Sequence, residues 1–406
     1  MFKIVEAEAT PRPTPGEVLL GSGYADLALP YIHKDVETHP DNPIAMGNLG
    51  VCYKYLGEYE KAEQCLTKAI EMAPNIPVPL HNLGLVYEEI GGFNLALKCF
   101  AQASMMRRSP DTLYGLGTNM LRMGMFQEAF PIWEEARREK RSFIYVPNIP
   151  VWKGEDLHGK TILVLREGGY GDIFWLMRYL PLLKERGARI AFHVFRSQKK
   201  LLEGHPWIDM LLDSDDELEQ KIFDYQIPLW SIMFLVNKVP LGMTAPYLWA
   251  EPKEHLKRPV VGFMPQAGEM MSVHRKLRSI QDEYLGILAD VPVTWVNLQM
   301  GKKIDFCKAS LNGCPEGWKS TAELMAECDL VVSSDSSVAH LAGAMGLETI
   351  VFCPRGYDWK FSHAAFPKNA WYPTWHVIEN EDAVSFESAA RKVRTEILHR
   401  LEVGKL

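Results

Sequence analysis

The chain has 406 residues, 47% hydrophobic and 23% charged, with a formal net charge of −7. This length exceeds one compact core and predicts two or three domains, and the apolar content excludes wholesale disorder. Mild acidity gives no global attraction for nucleic acid or an anionic membrane, and 7 cysteines without a CxxC pair point to neither a disulfide framework nor a zinc site.

The opening residues MFKIVEAEATPRPTPGEVLL carry acids and three prolines where a signal peptide needs an unbroken apolar run. The most apolar stretch, 227–236, contains Pro228 and Ser231 and falls far short of the ~20 residues that span a bilayer. A cytoplasmic protein with reduced thiols is the expectation.

In chain order, residues 1–40 form an N-terminal segment with an expected capping helix at 26–37. A repeat follows over 41–144. Leu49-Gly50, Tyr53, Ala62, Leu66, Ala69 and Pro74 share a register with Leu83-Gly84, Tyr87, Ala96, Phe100 and Ala103, 34 residues on. Leu116-Gly117, Met120, Ala129, Trp133 and Ala136 repeat it after 33 more. The pattern resembles the tetratricopeptide repeat, a helix–turn–helix unit that buries its open face against its neighbour. Small glycines and alanines admit close helix contact, and the large residues fill the stack. Arg107-Arg108 and Arg137-Arg138-Glu139-Lys140-Arg141 end adjacent repeats; they read either as solvated helix ends or as one basic patch for an acidic acceptor.

Residues 145–159 read as a linker. Beyond it, TILVLR (161–166) is an apolar run that predicts a buried parallel strand, followed by Gly168-Gly169-Tyr170-Gly171-Asp172 and a helix over 173–186. ARIAFHVF, MLLD and FDYQIPLW supply further strands, with a helix at SQKKLLEG. A second series begins with VVGFMP (260–265) and continues through TWVNLQ, DLVVSSD and TIVFCP, with helices over 281–289, 321–328, 336–345 and 383–401. This alternation predicts two Rossmann-like domains, 145–250 and 251–406, with a cleft at the carboxyl ends of their strands.

LREGGYGDIFWLMRYLPLLKERGARI and DLVVSSDSSVAHLAGAMG, with VWKGEDLHGKTILV, HRKLRS, CPRGYDWK and the WYP at 371–373, resemble the GT-B glycosyltransferases of the heptosyltransferase-like (glycosyltransferase family 9-like) group. The likeness extends to bacterial proteins that fuse tetratricopeptide repeats to such a domain. It implies a GT-B fold whose first domain faces the acceptor and whose second binds a nucleotide-sugar. It implies an inverting transferase that needs no metal or other cofactor.

Taken alone, glycines between a strand and a helix let a ligand approach the backbone. Gly169, Tyr170 and Gly171 form such a loop; it is neither GxGxxG nor a Walker motif. Asp172 is either a helix cap or, as the resemblance implies, the general base. Asp335, Ser336 and Ser337 start a helix where phosphate oxygens could be bound, and His340 lies one turn further on, either packed or lining the donor pocket. The basic run His274, Arg275, Lys276 and Arg278 reads either as a solvated face or, as the resemblance implies, as the loop that supplies a cation to the diphosphate, with Arg278 first and Lys276 second as the expected partners. Gln299 is the expected nucleoside contact. Asp213-Ser214-Asp215-Asp216 reads as an exposed acidic loop rather than a metal-binding DxD.

The repeats would recognise the acceptor, a protein or other macromolecule. The competing readings are a non-catalytic interaction scaffold with a degenerate transferase domain and a glycosyltransferase acting on modified nucleic-acid bases, for which only the basic repeat ends argue.

Overall fold

The computed structural model describes residues 13–140, 145–219, 221–236, 246–253, 255–266, 278–311, 316–354, 371–380 and 385–406. These residues divide into two compact units, one ending at Arg107 and the other beginning at Arg108.

The first unit is all helical: α1 (Pro15–Gly21), α2 (Ala25–Thr38), α3 (Pro43–Tyr55), α4 (Tyr59–Met72), α5 (Pro77–Glu89) and α6 (Phe93–Met106). The helices pair as α1/α2, α3/α4 and α5/α6, and successive pairs pack through α2 on α3 and α4 on α5. Prolines at the first turn of α1, α3 and α5 sit where a missing N–H costs nothing, and Asn42 caps α3 by accepting from the Ile44 N–H at 2.9 Å. A Cβ added at Gly50 would stand 2.7 Å from Leu66 Cγ, and one at Gly84 2.7 Å from the Phe100 ring. The repeat register therefore fixes the helix crossing.

The capping helix expected at 26–37 is α2, but it does not stand alone. Gly16 precedes Gly50 by 34 residues, and a Cβ there would stand 2.7 Å from Ile32, which precedes Leu66 by the same 34. Ala28, fully buried, stands likewise before Ala62. The pair α1/α2 is thus a further unit of the same type, hidden in the sequence because Pro15 and Leu19 stand where the signature has Leu and Tyr.

The second unit starts with the hairpin α7 (Pro110–Arg122) and α8 (Phe126–Glu139), closed by the same device: a Cβ on Gly117 would stand 2.7 Å from Trp133 Cβ. Pro110 opens α7 and does not end the preceding repeat. Together the helical pairs are a tetratricopeptide region followed by two parallel α/β sheets.

The first sheet contains β1 (Thr161–Leu165), β2 (Arg189–His193), β3 (Met210–Leu212) and β4 (Tyr225–Pro228), in the order β3-β2-β1-β4, all parallel. Its helices are α9 (Tyr170–Leu176), α10 (Leu180–Lys184), α11 (Arg196–Leu202), α12 (Asp215–Glu219) and α13 (Ser231–Leu235). The helix expected over 173–186 is broken by a 3-10 turn at Met177–Tyr179, because Pro181 cannot donate the bond that would continue the ladder. The stretch read as a linker is docked on the sheet edge. Gln226 accepts from the Val146 N–H at 2.8 Å and donates to the Val146 and Ile149 carbonyls at 2.8 and 2.5 Å.

The second sheet contains β5 (Val260–Met264), β6 (Thr294–Asn297), β7 (Ala309–Ser310), β8 (Leu330–Ser334), β9 (Thr349–Pro354) and β10 (Trp375–Asn380). Its order is β10-β9-β8-β5-β6-β7, again all parallel. Around it lie α14 (Trp318–Met325), α15 (Ser337–Ala344) and α16 (Glu387–Glu402); the segment expected as a helix over 281–289 is a 3-10 helix, Asp282–Leu288. Val261, Phe263, Leu330, Val332, Ile350 and Phe352 face a core closed by Val393 and Ile397 of α16.

Candidate functional site

In each sheet the chain builds outward in one direction from the first strand and then returns to build on its other side. The switch falls between β1 and β4 in the first sheet and between β5 and β8 in the second. At such a point successive connections leave on opposite faces, so a crevice opens at the carboxyl ends of the two strands.

At the first switch point the chain leaves β1 through Arg166 and Glu167 into the glycine loop. Gly168 has φ +73, and a Cβ there would stand 2.3 Å from Asp172 Oδ2, so only glycine fits. The Gly169 N–H donates to Asp172 Oδ2 at 2.7 Å, which folds the carboxylate back over the loop at the start of α9. Tyr170 is partly exposed and packs edge-on against Phe195 (centroids 4.6 Å apart), with Trp318 at 5.4 Å. Its carbonyl accepts from Gln198 Nε2 at 3.1 Å.

At the second, β8 ends in Ser333 and Ser334, and α15 begins after Ser336. Ser336 makes no side-chain cap bond; its hydroxyl lies 2.9 Å from that of Ser333. The Asp335 carboxylate is buried and pairs with Arg278 at 2.9 Å, and the same guanidinium donates to the Asp335 carbonyl. Gln299 accepts from the Gln266 N–H at 3.1 Å, beside the end of β5.

The two switch points face each other. A Cβ on Gly171 would stand 2.9 Å from His340 Cδ2, 3.2 Å from Ser337 Cα and 3.5 Å from Ser337 Oγ. Thus α9 and α15 touch through their first turns. Behind the contact lies an aromatic floor. His340, 4% exposed, stacks on Trp175 with centroids 6.0 Å apart and lies 5.3 Å from Trp375. Its Nδ1 is 3.4 Å from the Tyr372 hydroxyl, whose proton burial holds well above the usual phenol range. Arg178, fully buried, ties this floor together: it donates to the Trp175 carbonyl at 2.7 Å, the Trp371 carbonyl at 2.5 Å and the Tyr247 hydroxyl at 3.1 Å, and lies over the Tyr372 ring.

Asp172, Gly169, Tyr170, Gly171, Ser336, Ser337, Asp335, Arg278 and His340 are therefore gathered at the two facing strand ends, with Gln299 just past the end of the neighbouring strand β6. His274, Arg275 and Lys276 lie outside the described residues, as do Arg141, Asp358 and Trp359. Arg178, Trp175, Gln198 and Trp318 were not singled out from the sequence. Arg178 in particular reads there as an ordinary exposed helix charge; only its long-range carbonyl and tyrosine partners reveal it.

In the acidic stretch Asp215 and Asp216 are exposed, as expected, and Asp215 opens the short helix α12, whereas Asp213 pairs with Lys199 at 2.8 Å and Arg196 at 3.5 Å and its side chain is only 11% exposed. Of the two readings of the basic repeat ends, solvated helix ends fits Arg108 and Arg138, both more than half exposed. Arg108 pairs with Glu135, Lys140 with Asp111 and Arg138 with Glu134, while Arg137 is buried between Glu134 and Glu167. Among the described residues no group of His, Cys, Asp and Glu could hold a metal ion, and no helix is long and apolar enough to cross a membrane.

A family model of the tetratricopeptide repeat matches residues 43–76, the α3/α4 pair. No curated protein matches the chain at a significant level. Among solved structures, MamA is similar at 22% identity over 33% of this chain and 78% of that one, with a TM-score of 0.29. A thermophilic tetratricopeptide protein of Thermus thermophilus is similar at 23% identity over 30% and 69% of the two chains, with a TM-score of 0.29. The chain is a tetratricopeptide-repeat protein with a C-terminal region of two parallel α/β sheets.

Proposed function

We propose that the α/β region is a GT-B-type, inverting, metal-independent glycosyltransferase that moves a sugar from a nucleotide-sugar to an acceptor hydroxyl. The observation that carries this reading is the contact of Gly171 with Ser337 and His340, which turns the strand-end crevices of two parallel sheets towards each other. One crevice offers a carboxylate; the other offers a guanidinium and a serine-rich helix start. That division suits a donor bound on the second sheet and an acceptor on the first.

In this reading the acceptor oxygen attacks the anomeric carbon, its proton passes to the Asp172 carboxylate, and the bond to the diphosphate breaks. The Gly169 N–H aims the carboxylate. Arg278, steered by Asp335, and the first turn of α15 meet the negative charge that develops on the leaving diphosphate. The helical pairs of the first unit supply a surface for a protein or other macromolecular acceptor. Asp172→Asn tests the assignment: turnover should fall by about 10³-fold or more while nucleoside diphosphate affinity stays within about twofold. Undiminished turnover would refute it.

A scaffold without turnover is the second reading. The close packing of α9 on α15 and the burial of His340 among Trp175, Tyr372 and Trp375 favour it, since the first turns of the two helices meet directly and His340 is enclosed by aromatic rings. Failure of every nucleoside diphosphate to bind would decide for the scaffold.

A further inference from the structure

Arg137 sits in a run of charges at the end of α8, where helix ends are normally solvated, yet its side chain is 3% exposed. Its guanidinium spans two carboxylates. Nη1 donates to Glu134 Oε2 at 2.7 Å, Nε donates to Glu167 Oε1 at 2.9 Å, and Nη2 reaches the same Glu167 oxygen. The Trp133 ring lies under it at 4.2 Å. The Ser231 hydroxyl donates to both Glu134 oxygens, at 3.0 and 3.1 Å, and the Trp230 N–H reaches Glu167 Oε2 at 3.4 Å. Trp230 in turn meets Trp133 and Trp175 edge-on, at 5.2 and 4.9 Å, and Phe130 of α8 stacks on Phe234 of α13 at 4.1 Å.

Glu167 is the residue immediately before Gly168. The loop that follows has almost no side chain of its own with which to hold a place: Gly168, Gly169 and Gly171 carry none. At its far end the Asp172–Gly169 bond fixes it; at its near end the anchor is Glu167. We propose that Arg137, supplied by the α7/α8 hairpin, is a positioning residue that holds the glycine loop in register through Glu167.

The chemistry of the cluster supports a geometric role over a stabilising one. Two carboxylates share one guanidinium in a dry site, an arrangement that apolar side chains of similar size often match or exceed in stability. What an apolar replacement cannot supply is a planar fork that fixes the orientation of a carboxylate. The α7/α8 hairpin is accordingly built into the α/β unit, its inner face committed to Trp230, Phe234 and the loop rather than to a partner.

The test uses the full chain with two double variants, Arg137→Met, Glu167→Gln and Arg137→Met, Glu167→Met, in both of which Glu134 keeps Ser231 and Arg138. Hydrogen exchange is followed over residues 166–176. Both variants should keep the melting temperature within a few degrees and leave β1 unchanged, while the amides of 168–172 exchange at least about tenfold faster. Unchanged exchange at 168–172 in a folded variant overturns the proposal; if the Met–Met variant does not fold, Arg137→Met, Glu167→Gln, which keeps the side-chain shape at 167 without the guanidinium, carries the test.

The consequence for catalysis rests on the transferase reading. There kcat should fall by about tenfold or more, with nucleoside diphosphate affinity within about twofold. A wild-type chain without turnover defeats the transferase reading but leaves the exchange result to judge Arg137. A wild-type chain that turns over, with variants that match its kcat, defeats the positioning role.

Discussion

Gly171 of α9 and His340 of α15 stand so close that a single methyl group between them would sit 2.9 Å from His340 Cδ2. The contact joins the first turns of two helices that belong to different sheets. Gly171→Ala should therefore cost about 1–3 kcal/mol by overpacking, because Ser337 Cα blocks the other side at 3.2 Å. Gly169→Ala is the control: its Cβ would meet only Asp172 Oδ2, at 3.8 Å, and the loss should stay at or below about 1 kcal/mol, the difference between glycine and alanine at a cap position. Denaturant unfolding of the two variants checks the difference.

The repeat glycines make a similar comparison. Alanine gains about 1 kcal/mol over glycine in a helix interior. At Gly84 the obstacle is the Phe100 ring, which can tilt, so the gain and the clash largely offset. At Gly117 the obstacles are Trp133 Cβ at 2.7 Å and the Trp133 backbone at 2.9 and 3.0 Å, which cannot yield. Gly117→Ala should lower the melting temperature clearly, and Gly84→Ala much less; equal losses would contradict the backbone argument.

The buried cluster predicts a pH dependence with a definite sign. Burial pushes the Glu167 carboxyl up to about 7, against the pull of Arg137 and with Glu134 adding to the rise. The folded chain then holds more protons at this site than the unfolded chain between the ordinary glutamate range and about pH 7. Stability from this group is full at the acid end of that window, falls as pH rises through it, and levels off above. Glu167→Gln removes the titration, so the variant should gain on the wild type by about 2–3 kcal/mol between pH 4.5 and 8. Thermal melts across that range check it. A variant that loses ground as pH rises would mean that the Arg137 attraction outweighs burial.

Much of this architecture is legible in the sequence where a period or a strict steric demand is present. TIVFCP is β9 residue for residue, and the glycines at 50, 84 and 117 mark the helix crossings. Signals that depend on distant partners are not legible. Gly16 and Ile32 form a repeat crossing without the surrounding signature, and β10 alternates too weakly to stand out before β9 is placed beside it. Arg137 reads as one charge among several because Glu167, its partner, lies 30 residues away. The same holds for the site: the glycine loop and the Ser336–Ser337 turn are visible as motifs, but that Gly171 would touch His340 follows only from the packing of α9 on α15.

Calorimetric titration of the full chain with the diphosphates of uridine, guanosine, adenosine, cytidine and thymidine tests the central claim most directly. The account predicts that at least one binds, that Arg278→Leu weakens it by about tenfold or more, and that Asp172→Asn leaves it within about twofold. Absence of binding by all five, or binding indifferent to Arg278, would contradict it.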